Sequence, residues 1–100
     1  MSTSFDIDNI RSIVVPIAKK YGVARVYLFG SVARGEANEN SDVDLRIDSG
    51  DIKSLFALGG FYADIEDALG KPIDVLTTKS LSTDFLNEIK NEEILLYEKE

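Results

Sequence analysis

From Asp42 to Asp48 charged and apolar side chains alternate without interruption: Asp42, Asp44, Arg46 and Asp48 are interleaved with Val43, Leu45 and Ile47. Successive side chains of a β-strand leave opposite faces, so this period of two predicts a strand with one buried and one polar face. Such a strand needs neighbours to pair with and an apolar layer to cover it. Ser49-Gly50-Asp51 ends it.

The flanking segments supply both. Val23 to Phe29, rich in aromatic and β-branched residues and short for a helix, predicts a strand that feeds into Gly30-Ser31, with a short helical turn from Val32 to Gly35. Ile73 to Thr77 predicts a third strand and Ile94 to Tyr97 a short terminal one. Ile10, Ile13, Val14, Ile17, Ala18 and Tyr21 recur at helical spacing, with Asp6 or Asp8 as N-cap and Gly22 as stop. Pro16 lies inside that pattern and costs about 3 kcal/mol in an ideal helix interior, so a kink or an early break is expected. A second helix is predicted over Ile52 to Leu69, on the stripe Leu55, Leu58, Tyr62, Ile65 and Leu69, stopped by Gly70 and Pro72. Gly59-Gly60 weakens it by roughly 1 kcal/mol per residue relative to alanine, which predicts close backbone packing or a bend there. Leu81 to Lys90 predicts a last helix capped by Ser80 or Ser82. Interleaved helices and strands of this kind make an α/β (α+β) fold, a small mixed sheet with helices packed on one face. With 100 residues, one domain spanning 1–100 is expected. Strand order is not readable from the pattern.

The chain has no cysteine and no histidine, which removes disulfides, thiolate zinc sites, imidazole bases and Ser-His triads together. Carboxylates remain as metal ligands, and hard oxygen donors favour Mg²⁺ or Mn²⁺. Met1 to Asp6 carries no basic or apolar targeting segment, and no stretch approaches a membrane span, so a cytoplasmic protein without membrane association is expected. The formal charge of -7 opposes direct binding to a nucleic-acid backbone and suits a basic protein partner.

Asp42 and Asp44, two apart on a predicted strand, share a face and can converge on metal, and Asp74 on another strand can complete the cluster. Gly30 lets backbone approach phosphate oxygens without a Cβ in the way, and Ser31 adds an N–H and a hydroxyl, so the pair forms an anion cradle. Arg34, one short turn on, can reach either the phosphates or a neighbouring carboxylate. Taken singly, each feature has a plainer explanation: a turn after a strand, a solvated strand face, an exposed edge residue. Taken together in this order they indicate metal-assisted handling of a nucleoside triphosphate. Three ionised acids beside a triphosphate would otherwise repel, each like pair at about 4 Å costing on the order of 4 kcal/mol at an effective dielectric near 20.

Gly30-Ser31, ten residues, Asp42-x-Asp44 and a later Asp74 in Pro72-Ile73-Asp74-Val75 resembles the minimal nucleotidyltransferase family of the DNA polymerase β-like superfamily, over nearly the whole chain. The resemblance implies that Asp42, Asp44 and Asp74 are catalytic and bind Mg²⁺, two ions in all. Asp74 would also activate the acceptor hydroxyl, while Gly30 and Ser31 hold the triphosphate of an ATP donor and Arg34 stands beside them. It further implies an antitoxin that transfers AMP to a tyrosine of a partner HEPN ribonuclease toxin, forming a hetero-oligomer with it. The alternatives are an antitoxin that neutralises the toxin by binding alone, with a vestigial site, and a nucleotidyltransferase for a small-molecule or nucleic-acid acceptor. Gly59-Gly60 departs from what the family's second helix leads one to expect.

Overall fold

The alternating segment is a strand, β2 (Val43–Asp48), in the computed structural model of the protein, which describes residues 6–100. Residues 1–5, which hold most of the N-terminal stretch expected to carry no targeting segment, lie outside it. Around β2 the chain runs α1 (Ile7–Tyr21), β1 (Arg25–Phe29), α2 (Gly30–Ala33), β2, α3 (Leu55–Leu69), β3 (Ile73–Thr77), a 3-10 turn (Thr78–Ser80), α4 (Thr83–Ile89) and β4 (Ile94–Glu98). The four strands form one mixed sheet in the order β3-β2-β1-β4, with β1 antiparallel to both β2 and β4, and β3 parallel to β2. The parallel pair is joined by α3, the helical crossover such a pair needs.

Val43, Leu45 and Ile47 are fully buried and meet Val26 and Leu28 of β1, while Ile10, Val14 and Ala18 of α1 and Phe61 and Ile65 of α3 cover them. The other face carries charge. In the β1–β2 register Tyr27 lies opposite Arg46 and Arg25 opposite Asp48. Arg46 stacks over the Tyr27 ring at 4.1 Å and forms a nearly buried pair with both carboxylate oxygens of Glu93, one at 2.8 Å. Its Nη1 donates to Thr78 Oγ1 at 2.7 Å, and that hydroxyl donates to the Ile47 carbonyl. This bidentate pair ties the turn before β4 to the middle of the sheet.

Pro16 does not interrupt α1, which is continuous across it. The proline is on the exposed side, and the carbonyl it leaves unpaired belongs to Ser12, also exposed, so water can satisfy it while the buried stripe holds the helix to the core. The Asp6 carboxylate accepts the Asp8 N–H at the start, and Gly22, at φ +72°, closes the end. There the Val23 N–H donates to the Ala18 carbonyl, a Schellman-type bond that commits Val23 to the helix end and delays the strand to Arg25. α3 likewise begins at Leu55 instead of Ile52, because Ser54 Oγ accepts the Ala57 N–H and caps it. Leu55, expected on the buried stripe, is 86% exposed, and Phe61, absent from that stripe, is fully buried. Gly60 is a close approach: a Cβ there would stand 2.8 Å from Tyr21 Oη, whereas Gly59 faces open space. α4 is shorter than the predicted helix, with Ser82 Oγ accepting the Phe85 N–H as its cap. Among the described residues no helix is long and apolar enough to cross a membrane.

Candidate active site

The C-terminal end of β1 meets the N-terminal ends of β2 and β3, and the turn and the acids gather there. Phe29 is extended and Gly30 sits at φ +79°, a left-handed conformation that side chains resist. The turn needs glycine for a second reason, since a Cβ at Gly30 would collide with the Oδ2 atom of Asp44. Val32 then plugs the short helix α2 into the core, 3% exposed, and the Arg34 N–H closes onto the Gly30 carbonyl at 3.1 Å.

Asp44 lies opposite Phe29 in the β1–β2 register and opposite Asp74 in the parallel β2–β3 register. The two carboxylates are therefore adjacent across the ladder. Asp42 is exposed just before β2, two residues from Asp44 and on its side by strand alternation. Burial pushes the Asp44 carboxyl up to about 6, and the negative charges of Asp74, Asp42 and, least, Glu92 push the same way while Arg34 opposes them. Asp74 is exposed on the edge strand, open to an incoming group.

Arg34 contacts carboxylates here, though not those of the aspartates. Its Nε donates to Glu36 at 3.0 Å, and its Nη1 to both oxygens of Glu92 at 3.2 and 3.3 Å. Glu92 Oε2 also accepts the Gly30 N–H at 2.9 Å. The sequence reading missed Glu92. Only the sheet reveals it: Leu28 pairs with Ile94 in the antiparallel β1–β4 ladder, so two residues onward on one strand and two back on the other bring Gly30 beside Glu92.

Among the described residues no three carboxylates form a ready cage for a metal ion. The donor set still fits Mg²⁺. It is all oxygen, and Asp44 and Asp74 are adjacent in register. Mg²⁺ commonly takes one or two carboxylates and completes its shell with substrate phosphates.

Residues 13–100 match the family model described as polymerase beta, nucleotidyltransferase. A Methanocaldococcus jannaschii protein, provisionally named a protein adenylyltransferase, is 39% identical over 89 residues, covering 89% of this chain and 96% of that protein. The protein adenylyltransferase MntA of Thermococcus cleftensis is 31% identical over 90 residues, covering 86% of this chain and 91% of the relative. Among solved structures, a toxin–antitoxin crystal structure with AMP-PNP superposes with a TM-score of 0.76 at 21% identity, over 90% of this chain and 74% of that one, a likeness of fold. Sequence match and shared fold agree with the geometry of the turn and the acids: the chain belongs to the polymerase beta nucleotidyltransferase family.

Proposed function

We propose that the protein is an adenylyltransferase that moves AMP from ATP onto a tyrosine hydroxyl of a partner HEPN toxin, and so acts as that toxin's antitoxin. The observation that carries this is the Gly30 turn lying against Asp44, with Asp74 beside it in register. Relatives named as protein adenylyltransferases support the donor and the acceptor class. A structure of a tri-AMPylated Shewanella oneidensis HEPN toxin with its MNT antitoxin, of the same fold at a TM-score of 0.71 and 17% identity, supports the kind of partner.

In this function Gly30 and Ser31 take the triphosphate, and Asp42, Asp44 and Asp74 would hold Mg²⁺. Mg²⁺, when bound, neutralises charge between acids and triphosphate and polarises the reacting phosphorus. Asp74, exposed on the edge strand, faces the acceptor and takes the proton of its hydroxyl. The acceptor oxygen bonds to the α-phosphorus as the bond to the β-phosphate oxygen breaks, and pyrophosphate leaves. Asp42 and Asp74 are exposed at the surface, with Asp44 half-buried beside them. A tyrosine projecting from a folded partner can reach such a site, and the charge of -7 favours docking of a basic one.

The test is transfer of labelled AMP to a co-purified HEPN-type partner with Mg²⁺, followed by mass spectrometry of the partner. Increments of AMP on a tyrosine with wild type and none with Asp44→Asn support the function. Equal neutralisation of the toxin by both proteins, without label, would replace it with inhibition by binding alone.

A further inference from the structure

The Gly30 N–H and the Arg34 guanidinium point at one place, and a carboxylate of the chain itself already stands there. Glu92 accepts from Gly30 N–H at 2.9 Å and from Arg34 Nη1 at 3.2 and 3.3 Å, with its side chain 23% exposed. A planar anion held by a backbone N–H and a guanidinium makes the contacts that a phosphate group would make in the same cradle. It is also held in place from behind. The next residue, Glu93, is clamped by the nearly buried guanidinium of Arg46, which Thr78 and the Tyr27 ring fix in turn. Glu92 thus sits at a defined position set by the core of the sheet, and not on a free loop.

We propose that Glu92 is an internal competitor for the triphosphate site, which the nucleotide must expel in order to bind. This rests on the nucleotidyl-transfer function proposed above and adds to it a threshold that any ligand of the cradle must overcome. A ligand with a single phosphate has few other contacts to offset the expulsion of a carboxylate that already satisfies Gly30 and Arg34. A metal-bound triphosphate brings several phosphate oxygens and a cation for the aspartates, and so displaces it. The same carboxylate returns to the cradle when pyrophosphate leaves, which disfavours rebinding of the product.

Equilibrium binding of Mg·ATP, Mg·pyrophosphate and AMP to wild type, Glu92→Gln and Glu92→Ala tests this, with thermal melting of each protein as a check of folding. Loss of a charge-assisted contact of this strength predicts that both variants bind Mg·ATP about tenfold more tightly than wild type. AMP should gain by about the same factor, because it must expel the same carboxylate from the same cradle. Binding of Mg·ATP to wild type with unchanged or weaker affinity in both variants would overturn the competitor role while leaving nucleotidyl transfer intact. Absence of Mg·ATP binding in all three proteins would overturn the function itself, and the competitor with it.

Discussion

Asp44 holds a carboxylate where the fold disfavours its charge. Its carboxyl is raised to about 6 in the folded protein, first by burial and then by Asp74 and Asp42. An acid with a folded pKa above its unfolded value of about 3.9 binds its proton more tightly in the native state, so stability falls as pH rises from about 4 through about 6. Above that the penalty is complete, and below pH 4 it vanishes. Asp44→Asn is therefore expected to gain about 1 to 2 kcal/mol at pH 7 without metal, a figure discounted for solvent screening, and nothing at pH 4. Denaturant unfolding at the two pH values measures it, and AMP transfer by the same variant should be lost. Gly30 and Asp44 were recognisable in the sequence because each role demands a residue type: no Cβ in the turn, a carboxylate on the strand. Glu92 was not, because nothing in its neighbourhood in the chain, Lys90-Asn91-Glu92-Glu93, distinguishes it from a solvated turn.

Two adjacent glycines in α3 separate propensity from packing at the scale of the element. Gly59 is exposed with nothing near it, so Gly59→Ala should stabilise the helix by about 0.5 to 1 kcal/mol. At Gly60 a Cβ would stand 2.8 Å from Tyr21 Oη and 3.3 Å from its Cε1. Tyr21 has little room to yield, since its hydroxyl donates to Asp64 Oδ2 at 2.8 Å and its ring packs edge-on against Phe61. Gly60→Ala should therefore destabilise by about 1 kcal/mol despite the better propensity. Thermal unfolding of both variants decides it, and gains of the same sign at both sites would refute the close approach. Close packing was one of the two outcomes the glycine pair predicted, and the structure assigns it to the second glycine only. The early start given to α3 and the place given to Leu55 on its buried stripe were errors of one kind. Apolar spacing continued past the true helix start, and the Ser54 cap, a local hydrogen bond, fixed the boundary instead. On the sheet's other face, Arg46→Met should cost about 3 to 5 kcal/mol by leaving the Glu93 carboxylate buried without its partner, and adding Glu93→Gln should recover much of it. Chemical denaturation of the single and double variants reads both effects.

For the whole molecule, a ligand that binds only the folded state raises stability by mass action, by about 2.7 kcal/mol at one hundred times its Kd. Mg·ATP should therefore raise the melting temperature with concentration, while ATP with excess chelator should not, because the acids then meet the triphosphate without a cation. Equal shifts in the two conditions would remove Mg²⁺ from the function. The sequence by itself determined the element types, the sorting of the sheet's two faces, the family and the residues of the turn and acids. Each of these follows from local period, from the limits of a residue type, or from a short motif. Tertiary structure alone decided the strand order β3-β2-β1-β4, and with it that Asp74 lies directly across from Asp44 and that Glu92 reaches Gly30. Which strands pair, and in what register, is set by how the whole chain buries its apolar surface, and contacts between residues sixty positions apart leave no mark on the local pattern of either.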